Sequence, residues 1–103
     1  MSRVIKSILR EELRNSKDLK KKYASMLQVY QPGSLIRRSI NGQYYYYLSY
    51  RDRRDQKVKQ KYLGKLSRSS VRKISDNIQE RKAIMKNLKL VSNNIKYLEK
   101  VLR

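Results

Sequence analysis

Tyrosines and basic residues are concentrated in residues 40–65, which read INGQYYYYLSYRDRRDQKVKQKYLGK and contain six tyrosines. Ten lysines and arginines but only two acids lie at residues 51–73. Aromatic rings stack on unpaired bases, and basic side chains neutralise phosphates, so this pattern predicts a nucleic-acid-binding surface. The alternative is a small core with a polar rim, because tyrosines in strands more often pack on neighbouring side chains than contact a ligand.

The candidate binding residues combine this basic segment with two of its tyrosines. They are Arg51, Arg53, Arg54, Lys57, Lys59, Lys61, Lys65, Arg68, Tyr45 and Tyr47. Lys57, Lys59 and Lys61 alternate along a predicted strand and therefore share one of its faces. Such lysines also protect an exposed sheet edge from aggregation, but edge protection does not account for the flanking arginines.

The composition of the whole chain supports a polyanionic partner and excludes several classes of enzyme. Its 27 Lys and Arg against 8 Asp and Glu give a formal charge of +19 on 12.4 kDa. A charge of this size favours association with nucleic acid. Cysteine and histidine are absent, which removes thiolate zinc sites and the commonest proton-transfer residue. Because no paired carboxylates or phosphate-binding glycine loop appear either, we predict no enzyme activity, no catalytic residue, no metal and no cofactor.

The sequence carries no sign of a membrane segment. No apolar run approaches the roughly 18 residues that span a bilayer. The N-terminal segment MSRVIKSILREEL contains Glu11 and Glu12, where a signal peptide would be apolar. We therefore expect a soluble cytoplasmic protein.

The elements that position these residues begin with a helical segment at residues 3–30. Apolar residues recur there at spacings of three and four, with Ser16 filling one gap. They are Ile5, Leu9, Leu13, Leu19, Tyr23, Met26 and Tyr30. The polar sequence RNSKD at residues 14–18 can divide this segment, so one helix and two helices both remain open. The sequence QPGS at residues 31–34 ends it.

A three-stranded antiparallel sheet is predicted at residues 34–63. Its first two strands, 34–40 and 43–51, are separated by Asn41 and Gly42, the strongest short signal for a hairpin. A third strand is expected at about 57–63. A two-residue turn places Leu35, Arg37, Tyr44, Tyr46, Leu48 and Tyr50 on one face. The other face then holds Ile36, Arg38, Ile40, Tyr45, Tyr47 and Ser49.

A long C-terminal helix is predicted at residues 69–102, with Ser69 or Ser70 as its N-cap. Its predicted apolar face consists of Val71, Ile74, Ile78, Met85, Leu88, Val91, Ile95, Leu98 and Leu102. Such a face has to be covered, either by the N-terminal helix of a monomer or by a second copy in a coiled-coil homodimer. The fold class is therefore α+β, in a single domain of residues 1–103.

Two sequence patterns carry a family resemblance. GSLIRRSINGQYYYYLSYRD and KVKQKYLGK resemble G-S-L-x-x-K-x-I-N-G-x-x-Y-Y-Y-L-x-Y-R and K-V-K-x-K-Y-L-G of small basic proteins from Gram-positive bacteria and their phages. The resemblance is good over residues 33–65 and loose to residue 102, and it implies no function. The sheet and following helix distantly resemble the arm-type DNA-binding domain of phage integrases. The chain lacks that domain's tryptophan and has KLSRSS where T-K-K-E-A is usual.

A small basic protein of this phage-like type also resembles anti-CRISPR proteins in size and charge. This resemblance implies a Cas9 inhibitor in the cytoplasm of a bacterial host cell. Its partners would be guide RNA and Cas9, with the basic surface on RNA backbone and tyrosines on unpaired bases, so that guide RNA and effector do not assemble. The alternative is a sequence-specific or architectural DNA-binding regulator or accessory protein, which uses its sheet in the major groove of duplex DNA.

Overall fold

The computed structural model describes residues 2–30 and 32–103. Its elements are α1 (Arg3–Leu27), β1 (Ser34–Ile40), β2 (Gln43–Arg51), β3 (Val58–Gly64) and α2 (Arg68–Leu102). The α+β prediction is confirmed, and of the two alternatives left open for the N-terminal segment the structure shows one uninterrupted helix. Neither helix combines the length and apolar character that crossing a bilayer requires, over the residues described.

The described residues form two compact units. One consists of residues 2–29 with Lys82–Arg103, and the other of Tyr30–Arg81. The first unit therefore holds α1 and the C-terminal part of α2, and the second holds the sheet and the first turns of α2. The prediction of a single domain stays a prediction.

The helix α1 continues through the polar sequence at residues 14–18 because Ser16 is buried and bonded. The Asn94 amide of α2 donates a hydrogen bond to Ser16 Oγ at 3.1 Å. At the N-terminus, Ser2 Oγ accepts a hydrogen bond from the Ile5 amide at 3.1 Å and caps the helix. The helix ends at Leu27, earlier than predicted, so Tyr30 lies outside it.

The buried face of α2 differs from the prediction at Met85, which is 47% exposed, whereas the preceding Ile84 is buried. Ile84 lies six positions after Ile78, so the two side chains point in directions about 120° apart around the helix axis. Ile78 is buried in the second unit, and Ile84, Ile95 and Leu98 are buried in the first. The helix therefore has two buried faces, and one continuous face does not describe it.

The start of α2 also corrects the predicted N-cap. The helix begins at Arg68, and the Ser70 amide donates to Ser67 Oγ at 3.1 Å. Ser67 is therefore the N-cap, before the two serines that the sequence suggested.

The sheet has the order β1-β2-β3 with antiparallel pairs. Asn41 and Gly42 have φ of 51° and 77°, as a two-residue hairpin turn of the predicted kind requires. The third strand begins one residue later than expected, at Val58. Near its end the register shifts between Tyr46 and Tyr47, which marks a β-bulge.

The register confirms the predicted division of β1 and β2 between two faces and extends it to β3. We call the side that carries the contacting rings of Tyr47 and Tyr62 the tyrosine face. It holds Ser34, Ile36, Arg38, Ile40, Gln43, Tyr45, Tyr47, Ser49, Arg51, Val58, Gln60 and Tyr62. We call the other side the lysine face. It holds Leu35, Arg37, Tyr44, Tyr46, Leu48, Tyr50, Lys59 and Lys61.

Candidate nucleic-acid interface

The tyrosine face carries a row of neighbouring planar groups that extends across all three strands. The rings of Tyr47 and Tyr62 have centroids 5.2 Å apart and are tilted by 53°. The guanidinium carbon of Arg38 lies 5.0 Å from the centroid of the Tyr47 ring. Tyr47 thus stands between a cation and a second ring, an arrangement that holds its orientation.

A hydrogen bond between the outer strands fixes the same arginine. Arg38 Nη2 of β1 donates to Gln60 Oε1 of β3 at 3.3 Å, over the strand that separates them. The two side chains present an amide and a guanidinium beside the ring pair. Both groups can form hydrogen bonds with base edges.

Solvent reaches much of the tyrosine face. Tyr62 is 58% exposed, and Val58 and Ile40 are also exposed, whereas Tyr45 and Tyr47 are half-buried. An exposed ring on a sheet offers a flat apolar surface on which a base can stack.

The lysine face uses one of its cations inside the protein. Lys59 Nζ lies 2.8 Å from Asp52 Oδ2 and 3.2 Å from Asp55 Oδ2. The hydrogen bond from Lys59 is the main cause that lowers the pKa of Asp52, and the hydrogen bond from the Arg54 amide lowers it further. The hydrogen bonds to Asp52 and Asp55 raise the pKa of Lys59. Lys59 therefore stays charged, but its charge is already paired with two carboxylates.

The β2–β3 turn is held by further bonds of the same acids. Asp52 Oδ1 accepts from the Arg54 amide at 2.9 Å, and Asp55 Oδ1 accepts from the Lys57 amide at 3.0 Å. Arg51 Nη1 donates to the Gln56 carbonyl at 2.8 Å. Part of the charge that the sequence assigned to ligand binding thus stabilises this turn.

The predicted binding residues do not form one surface. Tyr45, Tyr47 and Arg51 lie on the tyrosine face, and Lys59 and Lys61 lie on the lysine face. The turn holds Arg53, Arg54 and Lys57, all of them exposed. Lys65 and Arg68 follow the sheet.

Of the two residues after the sheet, Lys65 contacts a predicted aromatic residue. Its Nζ lies 5.8 Å from the centroid of the Tyr45 ring. This pair adds a cation beside the tyrosine face. Arg68 forms the first residue of α2.

The binding residues predicted from the sequence do not include Arg38, Gln60 and Tyr62, although Arg38 and Gln60 are of types that can contact base edges. The alternation of β3 did place Tyr62 opposite the lysines. The local pattern does not show how both outer strands pair with β2. This pairing brings Arg38 and Gln60, 22 positions apart, into contact.

Among the described residues, no three acidic side chains come together as a metal site would require. Comparisons with known protein families, with curated proteins and with solved structures found no match to this chain. The resemblances inferred from the sequence therefore stay predictions.

Proposed function

We propose that the protein binds RNA through the tyrosine face, with unpaired bases stacked on its rings. The observation that carries this proposal is the exposed Tyr62 ring beside Tyr47, with Arg38 on the other side of Tyr47. Rings on a sheet are a recurrent platform for single-stranded RNA, because every base has a face that can stack.

Phosphate contacts supply the larger part of the binding free energy. Arg51 and Lys65 lie at the margins of the tyrosine face, and Arg53 and Arg54 are exposed in the adjoining turn. Each phosphate that such residues neutralise releases counterions, so affinity falls steeply as salt rises.

The ring pair favours unpaired bases over duplex DNA. In a duplex the base faces are stacked on one another and offer only their edges. Arg38 and Gln60 could read those edges, but the exposed ring of Tyr62 would then contact no base face. Duplex DNA is accordingly the competing ligand in the test.

The Cas9-inhibitor role is the finer form of the proposal. It rests on the resemblance to anti-CRISPR proteins in size and charge. In this form the RNA is the guide, and its unpaired loops occupy the tyrosine face so that guide and effector do not assemble.

The test is a fluorescence-anisotropy titration at physiological salt with four labelled nucleic acids of matched phosphate count. They are a Cas9 guide RNA, an unrelated structured RNA, a single-stranded RNA and a duplex DNA. We expect every RNA to bind more tightly than the duplex. Replacement of Tyr62 by Ala should weaken RNA binding by about tenfold, since one stacked base contributes about 1–3 kcal/mol.

Two variants serve as controls. Tyr62→Phe keeps the ring and should bind as the wild type does. Tyr97→Ala removes an exposed tyrosine from the other unit and should also leave binding unchanged. Equal affinity for all four nucleic acids, with no effect of Tyr62→Ala, would reduce the function to charge alone. A preference for the duplex would favour the DNA-binding regulator, and equal binding of both structured RNAs would remove the inhibitor role.

A further inference from the structure

A basic groove lies within the second unit, beside the lysine face. Its volume is about 680 Å³, within the roughly 300–1,000 Å³ that is usual for small-molecule sites. The residues that line it include Arg37, Tyr44, Tyr46, Lys65, Arg68 and Arg72. Among the described residues to which RNA binding is assigned above, Lys65 is the one that also lines this groove, and the Tyr47 and Tyr62 rings are not part of its lining.

The charge of the groove has one sign. Four of its side chains are basic, and none of the described residues that line it is acidic. This differs from the β2–β3 turn, where Asp52 and Asp55 oppose Lys59. The groove therefore has a positive potential that favours an anion.

The first turns of α2 contribute two of these basic side chains to the lining of the groove. Arg68 and Arg72 are four residues apart and share a face of the helix. Arg68 is also the first residue of α2, where the helix dipole is positive. Guanidinium groups bind phosphate oxygens in pairs of hydrogen bonds, so a phosphate is the fitting anion.

Two tyrosines of β2 line another part of the groove. Tyr44 is 51% exposed, and the guanidinium carbon of Arg37 lies 4.3 Å from its ring centroid. Tyr46 also lines this part of the groove. Planar rings next to a phosphate site match the base and the phosphate of a nucleotide.

We propose that this groove binds a single nucleotide with a terminal phosphate, its phosphate on Arg68 and Arg72 and its base beside Tyr44 and Tyr46. Lys65 and Arg37 add to the positive charge. The nucleotide is either free or the 5′-phosphorylated end of a chain, and both present the same chemistry to the groove.

The first experiment is an NMR titration of the isotope-labelled protein with adenosine 5′-monophosphate, adenosine and inorganic phosphate. We expect the monophosphate to shift the amide signals of Gln43, Tyr44 and Arg72. Adenosine and phosphate, each with half of the contacts, should bind at least about tenfold more weakly. A 5′-phosphorylated trinucleotide and its unphosphorylated form distinguish the two sources. A gain from the phosphate assigns a chain end, and binding of the monophosphate alone assigns the free nucleotide.

Two double variants with the same loss of charge separate the groove from general attraction. Arg68→Ala with Arg72→Ala should lower affinity for the monophosphate by at least about tenfold. Alanine preserves helix propensity, so α2 should remain folded. Arg53→Ala with Arg54→Ala removes two cations from the β2–β3 turn and should leave this affinity unchanged.

Three results would overturn the proposal. Equal losses in the two double variants would mean that charge alone attracts the monophosphate. Phosphate that binds as tightly as the monophosphate would mean that the groove has no base site. Signals that shift at Tyr47 and Tyr62 would place the nucleotide on the tyrosine face. Because Tyr62→Ala tests RNA binding separately, failure of one proposal leaves the other standing.

Discussion

The two faces of the sheet use similar residues in different ways. On the lysine face Leu48 is 4% exposed, and Lys59 is opposed by Asp52 and Asp55. On the tyrosine face the rings of Tyr47 and Tyr62 contact each other while Tyr62 stays largely exposed.

This difference shows that a basic residue and an aromatic residue have no fixed role in a strand. The neighbouring side chains determine the role. A lysine that forms ion pairs with carboxylates stabilises a turn, and its charge is then less available to bind phosphate. A neighbouring cation and ring hold a tyrosine in place without covering it. The comparison therefore predicts that stability depends on the lysine face and RNA binding on the tyrosine face.

The largest expected effect is on stability, in Leu48→Ala. Truncation of a buried leucine should lower the free energy of unfolding by about 2–5 kcal/mol, because a cavity replaces its contacts. Tyr62→Ala should cost about 1 kcal/mol or less, since most of that ring is in water. Urea denaturation followed by circular dichroism measures both. Equal losses of stability would show that Tyr62 belongs to the core, and its role in binding would have to be reassigned.

Local sequence signals are sufficient to predict most of this sheet. Asn41 and Gly42 fixed the hairpin, and the alternation that follows from a two-residue turn placed the residues of β1 and β2 on the correct faces. The sequence leaves one or two N-terminal helices open because the polar residues 14–18, with Ser16 among them, compete with helical hydrogen bonding. The burial of Ser16 depends on Asn94, a partner 78 residues away.

The site was harder to predict because its contacts join distant strands. The predicted binding surface combines Lys59 and Lys61 with Tyr45 and Tyr47, yet strand pairing places the two lysines and these two tyrosines on opposite faces. The sequence shows that Asp52 and Asp55 reduce the net charge of this segment. It does not show that both carboxylates approach Lys59, because that contact depends on how residues 52–59 fold. Met85 was misplaced for a similar reason, since the buried face of α2 changes along its length.

A smaller effect should separate two lysines that the sequence treats alike. Lys59→Glu places a third carboxylate beside Asp52 and Asp55 and should lower the melting temperature. Lys61→Glu makes the same change of charge on the same face, but no ion pair of Lys61 is lost among the described contacts. Its melting temperature should remain near that of the wild type. Differential scanning calorimetry measures both, and equal melting temperatures would mean that the ion pairs of Lys59 contribute nothing to the turn.

The smallest effect is the pH dependence of the same ion pairs. Lys59 lowers the pKa of Asp52 in the folded protein below its ordinary value of 3.8. The stability from this carboxylate is therefore present above pH 3.8 and is lost as pH falls through the lowered pKa. The melting temperature of the wild type should exceed that of Asp52→Asn near neutral pH, and the difference should shrink below pH 3.8. Lys59→Met removes the main cause of the lowered pKa, so Asp52→Asn should have a weaker acid dependence in that background. If the difference in melting temperature stayed the same throughout the acid range, Asp52 would have the same pKa in the folded and unfolded chains. The ion pair with Lys59 would then not stabilise the turn.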